Sequence, residues 1–385
     1  MKVCKQVISN LESFLDKKGL YYDKIDYCII RDSWNILNKY VNLPYIIHIV
    51  GTNGKGSTGR YLASLLQQLN QKVLHYSSPH ILKFNERIWI EGEDVSDKLL
   101  DKTHTQLQSI LPNNLLKKLT YFEYTTLIAL YLSSGKDYLV LEAGLGGEFD
   151  ATNVVKNDLS IITTIGLDHQ NFLGDTISLI AATKMRSCDE NFILAKQIFP
   201  EVEEVKNKIL SDKYEIEKKS FILSENEKQL PMYLQNNLQV VLSVLDYLNF
   251  SNFEYTLPKL FGRYQRFQKN IIIDVGHNPL AAEAIAQELK KENKKIILIY
   301  NSFVDKDYET VLKILQPYIL EVQIIRCNDD RIVENLVLEK IIKGLSLNVN
   351  HFDIINIKDE FNYLVFGSFI VVENFLKGYN KNEKR

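Results

Sequence analysis

The sequence predicts an α/β protein in two units: an N-terminal parallel-sheet domain built on a phosphate-binding loop, and a smaller, doubly wound C-terminal α/β domain. Three observations carry that expectation. Short Ile- and Val-rich runs alternate with helical patterns, as parallel strands buried on both faces do. One of them, "YIIHIV" (45–50), runs straight into the glycine-rich turn "GTNGKGST" and a helical pattern over 58–70. The alternation then starts afresh after "EYTLPKLFGRYQRF" (254–267), a non-periodic stretch with Pro and Gly.

The first series comprises 45–50, 72–78, 137–144 ("DYLVLEAG") and 159–166 ("LSIITTIG"). The second comprises "NIIIDVG" (270–276), "KIILIYNS" (295–302), "EVQIIRC" (321–327) and "YLVFGSFIV" (363–371), with a helix over 279–292. Domain spans of 1–255 and 256–385 follow, with the linker near 250–260. A chain of 385 residues has room for two or three such units. Its net charge of −2 gives no global pull toward nucleic acid or anionic membrane. The Lys/Glu-rich stretch 201–228 mixes signs, as a solvated face does. The most apolar run, "YLVFGSFIVVENFL", is broken by Glu373, short of the roughly 20 apolar residues a membrane span needs. Cys4, Cys28, Cys188 and Cys327 form no C-x-x-C pair. A disulfide framework or thiolate zinc site is therefore not expected, and a reducing, cytoplasmic setting is. The opening "MKVCKQVISNLESFLDKKGL" reads as a helix broken by charge rather than a signal peptide. A monomer acting on small molecules is expected.

A phosphate loop needs inward-pointing backbone N–H groups, a helix N-terminus, a lysine for charge and a hydroxyl for a metal. Gly51, Gly54 and Gly56 let the backbone come close to phosphate oxygens. Lys55 can reach the outer phosphates, and Ser57 or Thr58 can ligate Mg²⁺. The usual spacing G-x-x-x-x-G-K-(S/T) is missed by one residue, because Gly56 separates Lys55 from Ser57. A purely steric β–α turn is the other reading. Glu142 ends a buried strand where α/β sheets bind ligands, or simply meets solvent there. Asp168 and His169 follow another strand end, as metal-ligand candidates or as a hydrogen-bonding pair. Lys184, on the helical run "SLIAATKMRS", reads by composition as a surface lysine. Phe122, Glu123, Tyr124 and Thr125 open another helical pattern. Aromatics beside one acid suit a flat heterocycle with polar edges, and equally suit helix-start packing.

Taken in order, "HIVGTNGKGST", "SSPHILKFNERIWIEGE" (77–93), "LEAGLGGEFDATN" (141–153), "IGLDHQNFLGDT" (165–176) and "IIDVGHNP" (272–279) resemble the folylpolyglutamate synthase/dihydrofolate synthase family of the Mur ligase superfamily. The resemblance runs from about residue 20 to 375. A glycine between the loop's Lys and Ser is that superfamily's own form. The resemblance implies a Mur-ligase-type phosphate-loop domain joined to a Rossmann-like ligase domain. It implies an ATP-dependent, ADP-forming ligase that adds L-glutamate to dihydropteroate or tetrahydrofolate through an acyl phosphate, with the bifunctional form favoured. It implies that Gly54, Lys55, Gly56, Ser57, Asn237, Arg263 and Asp274 hold ATP. Ser57 and Glu142 would hold one Mg²⁺ and His169 a second. Lys184 matches a lysine that CO₂ carbamylates, and with Lys55 and His169 it would serve the reaction. Phe122, Glu123, Tyr124, Thr125, Phe149, Asp150 and Ala151 match the pteroate pocket, as does the segment Asp26–Ile29. His277 and Ser368 are candidates for the incoming glutamate.

Four departures stand out against that family. Glu148 replaces a residue that is commonly basic, and Phe261 replaces a proline. Thr183-Lys184-Met185-Arg186 stands for Glu-Lys-Ala-Gly, and Val275-Gly276 displaces a glycine by one place. By themselves Asn237, Asp305 and Asp307 read as helix caps, and Arg263 as a linker arginine in water. Two alternatives stay open: another Mur-type amino-acid ligase, and a nucleotide-binding homologue without chemistry.

Overall fold

The structure, a computed structural model, describes residues 10–18, 27–251 and 253–382. Cys4 and Asp26 lie outside them. Eight strands form the first sheet: β1 (Tyr45–Val50), β2 (Val73–Tyr76), β3 (Ile88–Ile90), β4 (Glu93–Asp94), β5 (Tyr138–Glu142), β6 (Leu159–Ile162), β7 (Asn191–Leu194) and β8 (Tyr214–Glu215). Their order is β4-β3-β2-β5-β1-β6-β7-β8. All neighbours run parallel except at the β2–β3 and β3–β4 edge. β1 lies between β5 and β6, with Ile49 opposite Glu142 and Val50 opposite Ile162. That register puts the loop after Val50, the Glu142 carboxylate and the segment after Ile162 side by side at the carboxyl ends of three strands, where open α/β sheets bind ligands.

Buried helices hold this edge rigid. Leu62, Leu65 and Leu66 of the Lys55–Gln68 helix pack on Leu238, Val241 and Leu245 of the Met232–Tyr247 helix, covering one face of the sheet. Tyr124, Leu127 and Ile128 of the Tyr121–Leu132 helix cover the other, against Leu74, Leu139 and Leu141. Each such side chain removed from water contributes roughly 1.5–3 kcal/mol.

The second sheet contains β9 (Gln265–Gln268), β10 (Ile271–Ile273), β11 (Ile296–Tyr300), β12 (Ile319–Ile324), β13 (Asn348–His351) and β14 (Tyr363–Phe366), in the order β13-β12-β11-β14-β10-β9. Only β9 is antiparallel to its neighbour. Several strand expectations shift: the runs at 72–78, 137–144, 159–166, 270–276 and 295–302 end earlier, at Tyr76, Glu142, Ile162, Ile273 and Tyr300. The run at 321–327 begins earlier, at Ile319, and the run at 363–371 stops at Phe366. Gly367 turns the chain there with φ +126°, where a Cβ would lie 2.0 Å from the Asn301 carbonyl, and the last helix starts at Phe369. The last helix of the first unit ends at Tyr247 and β9 begins at Gln265, so the expected division at 255/256 falls in the connection between them. Part of that connection is stitched to the first unit, since Leu260 belongs to its core and Tyr255 and Leu257 pack against it.

Candidate active site

β1 delivers the chain into the glycine loop. Gly54 takes the left-handed conformation (φ +93°) as N-cap of the Lys55–Gln68 helix, a place that L side chains adopt only with strain. Gly56, the residue that breaks the usual spacing, faces the acid: a Cβ there would lie 3.4 Å from Glu142 Oε2 and 3.6 Å from Arg263 Nη2. A side chain at 56 would therefore fill the gap between helix, carboxylate and guanidinium. Lys55 Nζ donates to the carbonyls of Gly51 (3.2 Å) and Thr52 (3.3 Å). Ser57 Oγ is buried and has no hydrogen-bond partner among the described residues.

These groups line one cavity of 370 Å³ between the two units. Glu142, His169, Lys184, Asn237, Arg263 and Asp274 line it as well, as do Asp168 and His277. Glu142 is buried and, among the described residues, accepts only the Ser78 N–H, at 3.3 Å. Burial raises its carboxyl above the ordinary range, against the pull of Lys55 and Arg263. Lys184 is buried rather than on the surface, and Nζ donates to the Gly51 carbonyl at 2.9 Å. Burial, reinforced by the Lys55 charge, brings its ammonium down to about 7. Burial also lowers the His169 imidazole, to about 4, so it is neutral at pH 7.

Two bland readings give way here. Asn237 is no N-cap: it lies inside the Met232–Tyr247 helix, its Oδ1 3.0 Å from where a Gly54 Cβ would stand and its buried Nδ2 without a partner. Arg263 does not hang in water but lies 5.1 Å over the Phe369 ring and reaches toward Glu142 and Asp274. Asp274 accepts the Tyr264 and Gly276 N–H groups, each at 2.7 Å, and the Tyr233 hydroxyl at 3.1 Å. Tyr233 was not legible as a site residue, because its partner is 41 positions away. Asp307 does cap a helix, accepting the Thr310 N–H at 3.1 Å.

The glutamate candidates divide. His277 lines the cavity, with Nδ1 donating to the Val275 carbonyl (3.1 Å) and Nε2 3.4 Å from Asp168. Ser368 is buried outside the lining, where its Oγ accepts the Val371 N–H at 3.3 Å.

The seven pteroate candidates do not line the cavity. Phe122 borders it: a Cβ on the lining residue Gly144 would meet the Phe122 ring at 2.6 Å. Phe149 is half exposed and pairs with Tyr27, ring centroids 4.8 Å apart. The other side chains have internal partners. Tyr124 is fully buried, with its hydroxyl 2.7 Å from His104 Nδ1, and Thr125 Oγ1 sits 2.8 Å from the Tyr76 hydroxyl. Asp150 accepts the Leu145 N–H (2.7 Å) and the Thr152 N–H and hydroxyl (3.0 and 2.6 Å), folding the 144–152 loop back on itself. Ala151 is buried against the first core.

Glu123 closes a capping box, accepting the Thr120 N–H (2.8 Å) and hydroxyl (2.9 Å) while Thr120 Oγ1 accepts the Glu123 N–H. Glu123→Ala is accordingly expected to cost about 1 kcal/mol of stability. The denaturation midpoint reads this directly; an unchanged midpoint would contradict the capping role.

Glu148, the charge reversal, is answered within the chain. Arg186 Nη1 donates to its Oε2 at 3.0 Å, so two departures from the family pattern neutralise each other. Both side chains are partly exposed, so a double-mutant cycle is expected to give a coupling below about 1 kcal/mol.

No cluster of three or more His, Cys, Asp or Glu side chains that could hold a metal occurs among the described residues. The set Ser57 and Glu142 nonetheless fits a Mg²⁺-type ion. Such an ion takes few protein ligands and completes its shell with phosphate oxygens and water. The partnerless Ser57 hydroxyl and the nearly unengaged, buried Glu142 carboxylate are the donors that shell leaves to the protein.

The chain is similar to known proteins over most of its length. It is 33% identical over 328 residues to a dihydrofolate synthase/folylpolyglutamate synthase of Haemophilus influenzae, covering 72% of this chain and 74% of that protein. It is 30% identical over 305 residues to the Escherichia coli protein of the same name, covering 72% and 71%. Among solved structures, a Helicobacter pylori folylpolyglutamate synthetase superposes with a TM-score of 0.75 at 37% identity, covering 96% of this chain and 98% of that one. An E. coli FolC in complex with DHPP and ADP superposes with a TM-score of 0.78 at 26% identity, covering 96% and 97%. No protein-family model matches the chain.

Proposed function

The chain belongs to the dihydrofolate synthase/folylpolyglutamate synthase family, and on that premise we propose how its residues perform the ADP-forming ligation of that family. The protein is a carboxylate–amine ligase that uses ATP and L-glutamate. We assign it both dihydropteroate and tetrahydrofolate as acceptors, because the Haemophilus influenzae and Escherichia coli relatives carry both activities in their names. The observation that carries the reading is the single cavity on which the glycine loop, Glu142, Lys184 and Arg263 converge.

A free carboxylate is a poor acyl donor. In the reaction, the carboxylate of the pterin substrate attacks the γ-phosphorus of ATP. The bond to the β–γ bridging oxygen breaks, and ADP and an acyl phosphate result. The amino group of L-glutamate then attacks the acyl carbon, loses a proton and expels inorganic phosphate, leaving an amide. The protein's part is positioning and charge stabilisation. The loop amides and Lys55 take the phosphates, and Arg263, carried by the connection between domains, meets the transferring group from the opposite wall. Asn237 and Asp274 hold the nucleotide. Glu142 and Ser57 would hold a divalent cation and His169 would serve a second; such an ion would neutralise charge on the phosphate oxygens. Walls from both domains keep water from the acyl phosphate.

Phe122, which borders the cavity beside Gly144, and the half-exposed Phe149, paired with Tyr27, are assigned to the pterin ring. His277 is assigned to glutamate. No helix among the described residues is long and apolar enough to cross a membrane. A monomer in the cytoplasm is part of the proposal, in keeping with cysteines that form no C-x-x-C pair.

Isotope transfer tests the route. Substrate labelled with ¹⁸O in its carboxylate is expected to place one labelled oxygen in the released phosphate; unlabelled phosphate would contradict an acyl phosphate. Chromatography of the pterin product with each acceptor decides whether both are used.

A further inference from the structure

In the segment "FVDKDYETV" (303–311), Lys306 lies between the two aspartates and its ammonium meets the acid of another domain. Asp307 caps the next helix and Asp305 is exposed at the surface, but the Lys306 side chain is only 6% exposed. Its Nζ donates to Asp168 Oδ1 at 2.6 Å and lies 3.4 Å from His169 Nε2. Lys306 follows β11 in the second sheet, whereas Asp168 and His169 follow β6 in the first, 138 and 137 positions away.

Asp168 is the hub of this join. Its Oδ2 accepts Asn278 Nδ2 at 3.1 Å, with His277 Nε2 at 3.4 Å, and both come from the second domain. Asn278 and Asn53 of the phosphate loop exchange amide hydrogen bonds of 2.9 and 3.0 Å. Within its own domain, Asp168 Oδ1 accepts the His169 N–H at 2.8 Å. That same oxygen takes the Lys306 ammonium. His169 is held at φ +52°, a conformation that costs a non-glycine residue energy and persists only where surroundings enforce it.

We propose that Lys306 is a positioning residue: when the second domain closes, its ammonium engages Asp168, and through that carboxylate fixes His169 in the reaction cavity. The inference rests on the ligase reading of that cavity. A charge pair this dry gains little net stability, because desolvation offsets attraction. Its value is geometric, since both partners are hydrated while the domains are apart and meet only on closure. Assembly of the His169 corner and exclusion of water thus become one event.

Lys306→Met and Lys306→Arg in the full chain test this. Steady-state turnover, ADP titration and small-angle X-ray scattering with ADP bound are the readouts. For Lys306→Met, kcat is expected to fall at least about 10-fold, with a larger radius of gyration, because closure completes the site. ADP affinity should fall far less than kcat, since the phosphate loop and Asn237 belong to the other domain and only Asp274 reaches the nucleotide from the closing one. Lys306→Arg keeps the charge and is expected to recover most of kcat and the compact form. Wild-type kcat and scattering in Lys306→Met would overturn the proposal. So would a loss of kcat that Arg does not rescue, or that comes with loss of ADP binding and of thermal stability. Scattering and ADP affinity need no pterin or glutamate, so failure of the latch is distinguishable from failure of the ligase reading, which wild-type turnover decides.

Discussion

A Lys55→Ala enzyme is expected to release ADP about 10²–10³-fold more slowly than wild type, the cost of losing one preorganised charge at a developing anion. Lys55 opens the Lys55–Gln68 helix at the one place where loop amides, helix N-terminus and cavity coincide. In the structure its ammonium is held by two carbonyls of its own loop and by no carboxylate within ion-pair distance among the described residues. Removing it therefore strands no buried acid in an ion pair, and the folded state should keep its stability. Turnover and thermal midpoint read together make the case: lost turnover with an unchanged midpoint is the expected result. Full turnover would refute the phosphate role.

The second large effect belongs to Lys184. We propose that its amine adds to CO₂, forming an N–C bond and releasing one proton, so that a buried cation becomes an anion facing Lys55. An ordinary lysine is less than about 0.1% neutral at pH 7 and reacts slowly. Burial brings Lys184 to about 7, where half of it is neutral. The sign follows: as pH falls through 7 the amine is protonated, the carbamate is lost and turnover falls, and added bicarbonate shifts that fall to lower pH. Lys184→Met is expected to reduce turnover about 10²-fold by removing charge stabilisation at the site. Native mass spectrometry should find the mass of one CO₂ on wild type and none on the variant. A variant with wild-type turnover would contradict the assignment.

Much of this was legible because the β1–loop–helix unit is local. Tyr45–Val50 came out as predicted and Glu142 does end its strand, whereas the run at 159–166 stops four residues early, at Ile162. The edge strands were not legible. β9 ("QRFQ") and β13 ("NVNH") are polar, largely exposed and only 4 residues long, so they carry little hydrophobic pattern. Site residues defined by distant partners were hidden for a different reason. Glu148 meets Arg186 across 38 positions and Lys306 meets Asp168 across 138, and no local spacing encodes such pairs. Glu123 shows the opposite case. Its Thr-x-x-Glu capping signature was in plain view at Thr120–Glu123, although the aromatics beside it suggested a heterocycle.

Glutamate-dependent ADP release, measured with dihydropteroate and with tetrahydrofolate in turn, tests the central claim most directly. ADP release that requires glutamate and at least one of the two pterins is the result this account predicts, and release with both would establish the bifunctional form. No release above background with either pterin would contradict it.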